Sequence, residues 1–146
     1  MGLWNRFLHR LYLARKLSLW DWLAFLEAWC VLLVFHMRLR WVSYERLTQT
    51  GVARLKQTSG QFSVAQRLHR MIGWASRFHL LRMTCLVQSL SLRWMLGRRG
   101  IASELKIGAM KTQAGIHAHA WVEVEEQVIG DAGGTEKGFN AFDPVE

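Results

Sequence analysis

Apolar residues recur at helical spacing in the first part of the chain. Residues 3–16 place most of their large apolar side chains on one helical face. A second helix is predicted over about 19–40, because Ser18 and Asp21 form a capping-box pattern at the start of an apolar run. Residues 43–57 are a weaker helix candidate.

Two more helices are predicted in the middle of the chain. Ser63 and Gln66 repeat the capping-box spacing at the start of a segment with one apolar and one basic face. Thr84 is a threonine, which is favoured at helix N-caps. The helix that it opens is expected to run to Arg99 and to end at Gly100.

The spacing changes from helical periodicity to alternation after residue 100. Glu104–Met110 and His117–Val124 alternate as strands do, and a third strand is expected at Val128–Asp131 after a turn at Glu125–Glu126. The remaining Gly-rich segment is interpreted as a loop or tail. Helices followed by a small antiparallel sheet predict an α+β fold.

The charge is distributed unevenly along a chain of 146 residues, which has the length of one domain. We divide the chain into an N-terminal helical region at 1–60, expected to face a partner, and a core at 61–146; the two can form one compact domain. Residues 1–100 carry 16 Lys and Arg against 3 Asp and Glu, whereas residues 101–146 carry 3 against 8. A basic N-terminal part is typical of a chain with an acidic partner, or of a solvated basic face.

Cysteine usage and hydropathy favour an intracellular protein. Two widely separated Cys do not form a disulfide framework, and the N-terminus lacks the apolar segment and cleavage site of a secretory signal. The most apolar run, Trp22–Phe35, has 14 residues, which is shorter than the ~20 of a membrane span. We therefore expect a cytoplasmic protein, with membrane contact as the less favoured alternative.

The two cysteines are predicted to differ in role. Cys30 lies within the apolar run and is interpreted as a small core residue. Cys85 stands in the first turn of the helix that Thr84 opens, where the backbone N–H groups favour a thiolate and Arg82 adds positive charge. A cysteine in such a position is either a nucleophile or a buried structural residue.

Two histidines share one face of the second predicted strand. Alternation puts His117 and His119 on the same side, and a hairpin centred near Glu125 would place Asp131 opposite His119. A thiolate, an imidazole that moves the proton and a carboxylate that orients the imidazole form a nucleophilic triad. Cys85, Asp131 and one of these histidines are therefore candidates for such a triad, and geometry alone permits either His117 or His119 as the base.

Two segments of the chain resemble a known enzyme family. TCLVQSLSLRWMLGRRGIASELKIGAMK and HAHAWVEVEEQVIGD are similar to the leader peptidases of lasso-peptide biosynthesis, the transglutaminase-like part of the maturation B protein. The shared features are a Cys-Leu pair opening a helix, a Leu-Gly-Arg-Arg-Gly-Ile exit, an Ile-Gly strand and His-Ala-Trp-Val-Glu-Val. They cover roughly residues 65–131. The sequence departs from the family at Glu125–Glu126–Gln127, where a Gly-containing turn is more usual.

The resemblance implies a papain-like or transglutaminase-like core, a substrate and partners. The nucleophile would be Cys85, the base would be the His before Ala-Trp, which is His119, and the third member would be Asp131. The substrate would be a ribosomally made precursor peptide, from which the leader is removed without a metal or a cofactor. A separate leader-binding protein would present the precursor, and an ATP-dependent lasso cyclase would then use the newly exposed amine.

Other functions compete with this interpretation. Cys85, His117, His119 and Asp131 are residue types that bind zinc. The basic charge and the 8 Trp residues also suit a nucleic-acid binder, although no recognised motif of that class is present. The same triad could transfer the acyl group to an amine, as transglutaminases do, and a chain with a decayed site would be a non-catalytic partner protein.

Overall fold

Helices precede an antiparallel sheet in the computed structural model, which describes residues 18–41, 60–112, 115–130 and 140–141. The elements are α1 (Leu19–Arg38), α2 (Gln61–Arg77), α3 (Cys85–Gly97), β1 (Glu104–Thr112), β2 (Gly115–Val124), β3 (Gln127–Val128) and β4 (Asn140–Ala141). The four strands have the order β3-β2-β1-β4. The predicted α+β class is confirmed, whereas the helices predicted at 3–16 and 43–57 lie outside the described residues.

Two of the predicted helix starts are confirmed by their hydrogen bonds. The Ser18 N–H donates to Asp21 Oδ2 at 3.0 Å and the Asp21 N–H donates to Ser18 Oγ at 3.4 Å, which completes a capping box at α1. Thr84 Oγ1 accepts from the Val87 N–H at 3.4 Å and caps α3. Both caps satisfy N–H groups that have no acceptor within their own helix.

The predicted start of α2 at Ser63 is wrong. The helix begins at Gln61, after Gly60, whose φ of 100° turns the chain into the helix. The Ser63 hydroxyl donates to the Gly60 carbonyl at 2.8 Å and lies inside the first turn. The spacing of Ser63 and Gln66 therefore resembled a capping box without forming one.

The hydrophobic core surrounds α3, which is buried on most of its sides. Its buried residues are Val87, Ser89, Leu90, Ser91, Leu92, Met95 and Leu96. α1 contributes Ala24, Ala28, Val31, Leu32 and Phe35, and α2 contributes Ala65, Leu68, Met71, Ile72 and Ala75. These positions recur every three or four residues, so each of the outer helices presents one apolar stripe to the core.

Ion pairs of Asp21 with Arg67, and of Glu27 with Arg98 and Arg99, attach α1 to the rest of the fold. Arg67 on α2 donates to both carboxylate oxygens of Asp21, at 2.5 and 2.8 Å. These hydrogen bonds are the main reason that the pKa of Asp21 falls to about 2. Arg99, after the end of α3, lies 2.6 Å from Glu27. The position of α1 is therefore set by charge as well as by its apolar stripe.

Cys30 is exposed on α1, so its predicted place in the core is wrong. It stands two residues from both Ala28 and Leu32, which are fully buried. Two residues turn a helix by about 200°, so the thiol points away from the core. Because this run is almost entirely apolar, its sequence does not indicate which face of the helix is buried.

The outer face of α1 is apolar. Its exposed large apolar residues are Leu19, Trp20, Trp22, Leu23, Leu26, Val34 and Met37. By length and composition α1 is also the kind of helix that crosses a membrane, with a hydropathy of 1.5. Core helices of soluble proteins and signal sequences share this length and composition.

The turn between β2 and β3 shifts the predicted register by one residue. Glu125 and Glu126 have φ of 54° and 61°, so they form a two-residue turn that Asn-Gly usually occupies. Glu123 pairs with Val128 and Val124 pairs with Gln127. The register used to place Asp131 opposite His119 is therefore wrong by one residue, and Asp131 itself lies outside the described residues.

The sheet also contains a strand that the sequence did not predict. β4 pairs with β1, with Gly108 opposite Ala141 and Ala109 opposite Asn140. The sequence predicts a loop or tail over this segment, because a two-residue strand leaves no alternation to detect.

Candidate active site

Cys85 is the first residue of α3 and carries a free, partly buried thiol. The extended backbone of Thr84, with ψ 162°, delivers the chain into the helix at this point. The first N–H groups of a helix point out of its start and attract negative charge. The local sequence thus places a thiol at the start of a helix, beside N–H groups that have no acceptor within the helix.

Ser89 fixes the position of this helix start against the sheet. Its hydroxyl donates to the Ala120 carbonyl at 2.9 Å in a buried hydrogen bond. Ser89 lies one helical turn after Cys85, on the same face, and Ala120 follows His119 in β2. This single bond therefore joins the helix that carries the thiol to the strand that carries the imidazole.

The His119 ring is held on one face of β2 by neighbours on that face. It stacks on Trp121 with ring centroids 6.1 Å apart and planes at 20°. The Trp121 indole N–H donates to Glu123 Oε1 at 2.8 Å. His119 is half-buried, whereas His117, two residues earlier on the same face, is exposed. The stack restricts the orientation of the His119 imidazole.

Cys85 and His119 line the same cavity, of about 340 Å³. It lies at the edge of β2, where β3 pairs only with Glu123 and Val124 among the described residues. Its walls are His69, Cys85, Gln88, Ser89, Leu92, His119, Ala120, Trp121, Val122, Val128, Ile129 and Gly130. Helix α3 thus supplies one side and strand β2 another, as a triad of this kind requires.

A larger cavity, of about 710 Å³, lies between α1, α2 and the end of α3. Its charged side chains are Asp21, Arg67 and Arg99, and all three already belong to ion pairs. We assign the chemistry to the smaller cavity, because a thiol and an imidazole both line it.

Asp131 lies outside the described residues, so its predicted role stays a prediction. The residue before it, Gly130, lines the cavity that contains Cys85 and His119. The chain therefore reaches the cavity wall one residue before this carboxylate.

His69 is a residue of the cavity that the sequence analysis missed. It projects from α2 and is partly buried, and this burial lowers the pKa of its imidazole. The helical stripe of Ala65, Leu68 and Ile72 passes through position 69, so periodicity could have identified it. The polar residues Gln66, Arg67 and Arg70 around position 69 obscured that signal.

A metal site has no support from the described residues. Among them, no group of three or more His, Cys, Asp or Glu side chains is placed to hold an ion.

Comparison with known proteins gives one result. The family model described as the transglutaminase-like superfamily matches residues 29–144. The match covers most of the chain and includes α2, α3, the sheet and the second half of α1. No curated protein and no solved structure matches the chain.

Proposed function

Because the chain belongs to the transglutaminase-like superfamily, we propose that it is a cytoplasmic cysteine peptidase that removes the leader from a ribosomally made lasso-peptide precursor. The observation that carries the proposal is the shared cavity of Cys85 and His119. The resemblance of the segments around Cys85 and His119 to lasso leader peptidases supports the class of substrate.

The proposed reaction begins at the Cys85 sulfur. His119 takes the thiol proton, and the thiolate adds to the carbonyl carbon of the scissile bond. The C–N bond then breaks as His119 returns the proton to the leaving amine, which releases the core peptide with a free N-terminus. Water, deprotonated by His119, hydrolyses the remaining thioester and releases the leader carboxylate.

Two further groups complete the proposed site. Asp131 would hold the His119 tautomer and stabilise its positive charge. The Cys85 N–H, at the start of α3, would donate to the oxyanion of the tetrahedral intermediate. The first N–H groups of a helix are suited to this role because they have no acceptor within the helix.

Transfer of the acyl group to an amine is the second candidate function, because the superfamily contains acyltransferases as well as peptidases. Both reactions use the same thioester and differ only in what attacks it. Exclusion of water from the cavity would favour the amine.

A separate leader-binding protein is the proposed partner, and the apolar outer face of α1 supports a docking surface for it. Leu23 and Leu26 are 58% and 59% exposed. Two other large apolar residues of α1, Trp29 and Leu32, lie elsewhere on the helix. Leu32 is fully buried in the core, and Trp29 stacks on His79 at 4.6 Å, so neither belongs to the surface.

Incubation of the purified chain with a cognate precursor and its leader-binding protein, followed by mass spectrometry, tests the function. Hydrolysis yields two fragments whose masses add to that of the precursor plus one water. A leader joined to an amine would indicate acyl transfer instead. An unchanged precursor, with folded enzyme and partner present, would contradict both functions.

A further inference from the structure

Gln88 lines the same cavity as Cys85. It lies three residues after Cys85 on α3, which is close to one helical turn. Residues three apart lie on the same face of a helix, and helical side chains lean toward the start of their helix. The Gln88 amide is therefore carried toward the end of α3 at which the Cys85 N–H lies.

The orientation of the Gln88 amide is fixed by a main-chain acceptor. Its Nε2 donates to the Met83 carbonyl at 3.2 Å, two residues before α3 begins. Because a carbonyl oxygen can only accept, the nitrogen side of the amide faces Met83. An amide nitrogen carries two hydrogens, and this bond uses one of them. The second hydrogen is held in a fixed direction at the start of the helix.

Two other side-chain donors of the cavity wall are already used. The Ser89 hydroxyl donates to the Ala120 carbonyl at 2.9 Å, and the Trp121 indole N–H donates to Glu123 at 2.8 Å. A hydroxyl and an indole each have a single hydrogen to donate. Gln88 differs from both of them, because its amide has a second hydrogen.

The main chain at the start of α3 also uses some of its donors locally. The Val87 N–H donates to Thr84 Oγ1 at 3.4 Å, and the Gln88 N–H donates to the Thr84 carbonyl at 3.1 Å. The Cys85 N–H, which we assign to the oxyanion, is one donor. Oxyanion holes combine main-chain N–H groups with side-chain donors, of which Gln is one type. The Gln88 amide is suited to complete such a site beside Cys85.

We propose that Gln88 is a catalytic residue, whose Nε2 donates its second hydrogen to the oxyanion formed when the Cys85 sulfur adds to a carbonyl carbon. The inference rests on the proposed function, and it applies to hydrolysis and to acyl transfer alike, because both pass through such an oxyanion. The Met83 carbonyl holds the amide in place before substrate binds. Little reorganisation is then needed as charge develops on the carbonyl oxygen.

Gln88→Met tests this role in precursor cleavage, because methionine has a similar length and no N–H group in its side chain. We expect kcat to fall by about 100- to 1,000-fold, as it does when one oxyanion donor is removed. KM should change by less than about threefold, since the hydrogen bond forms only in the transition state. Gln66→Met, at an exposed position of α2, is the matched control and should leave both constants unchanged. An unchanged kcat in Gln88→Met would overturn the proposal.

Two small reagents separate the oxyanion from the thiol itself. Both are used in a Cys30→Ala background, so that Cys85 is the reporting thiol. Iodoacetamide alkylates the sulfur by displacing iodide and forms no oxyanion, whereas p-nitrophenyl acetate acylates it through a tetrahedral intermediate and releases p-nitrophenolate. Gln88→Met should slow the acylation by about 10- to 100-fold. It should change the alkylation rate by less than about threefold. Equal losses would mean that the thiol has been displaced, and would overturn the proposal.

The same reagents distinguish failure of this inference from failure of the proposed function. Selective slowing of acylation by Gln88→Met, in a chain that cleaves no precursor, would reject the peptidase and keep Gln88. His69 lines the same cavity and its imidazole is the competing donor. Acylation slowed by His69→Phe and unaffected by Gln88→Met would assign the role to His69 and reject Gln88. A native chain whose Cys85 is not acylated would reject both the nucleophile and this inference.

Discussion

The imidazole of His119 is oriented by side chains from its own strand. Trp121 stacks on it, and the Trp121 indole N–H donates a hydrogen bond to the Glu123 carboxylate. Alternation predicted that His117, His119 and Trp121 share a face, but it could not choose between the two histidines. The structure distinguishes them, because only His119 belongs to the cavity wall that contains Cys85.

We expect different effects from the two histidine substitutions. His119→Ala should remove nearly all cleavage, because no base then takes the Cys85 proton, and removal of a general base typically costs about 100- to 10,000-fold. His117→Ala should retain most of the rate, since His117 is exposed. Initial rates of precursor cleavage measure both. Equal losses at equal unfolding free energy would indicate a shared or metal-binding role.

The position of a residue could be predicted where a short local sequence pattern determines it. Cys85 was located by the cap residue before it, and Thr84 forms that cap. Cys30 was misplaced because helix phase depends on what packs against the helix. The proximity of His69 to Gly130 could not be predicted from the sequence, because only tertiary packing brings these two parts of the chain together.

At the scale of elements, the Asp21–Arg67 pair joins the start of α1 to α2. The pKa of Asp21 falls from 3.8 to about 2, chiefly through its hydrogen bond with Arg67. A carboxyl group whose pKa is lowered in the folded state stabilises that state at pH above its unfolded pKa. The contribution is lost as pH falls through the folded pKa.

The unfolding free energy should therefore decrease between about pH 4 and pH 2 by a part that depends on Asp21. We expect this part to be about 1 kcal/mol, since Arg67 is partly exposed and solvent screens the pair. Urea unfolding of the native chain and of Asp21→Asn across this range measures it. Parallel pH profiles for the two proteins would show that the pair contributes nothing.

The helices were easier to predict than the sheet. Ser18 and Thr84 cap the starts of α1 and α3 by accepting hydrogen bonds from N–H groups three residues later. The sequence signal for these helix starts is therefore local. The register of β3 depends on a turn whose two Glu residues adopt left-handed backbone conformations without the usual Asn or Gly. That turn type cannot be recognised from its residues, and a one-residue shift followed.

At the scale of the whole molecule, α1 has two different faces. One belongs to the core shared with α2 and α3, and the other exposes large apolar side chains. Exposed apolar surface of this kind is typical of a site for a partner. The basic charge of the N-terminal part and the acidic charge of the rest add a second asymmetry.

We predict that cleavage at low micromolar enzyme and precursor is faster when the leader-binding protein is present, because docking raises the local concentration of the scissile bond. Leu23→Ser with Leu26→Ser should reduce this acceleration and leave the unassisted rate unchanged. Ile116→Ser, which is 77% exposed on β2, is the control. Equal rates with and without the partner would reject docking and leave the peptidase assignment standing.

The most direct test of the account compares the two cysteines. Precursor and leader-binding protein are incubated with the Cys85→Ala and Cys30→Ala variants, and intact masses are recorded. We predict that Cys30→Ala releases leader and core peptide at the native rate, because its thiol lies on the exposed face of α1. Cys85→Ala, folded as judged by circular dichroism, should leave the precursor at full length. Cleavage by the Cys85→Ala variant would contradict the assignment of Cys85 as the nucleophile.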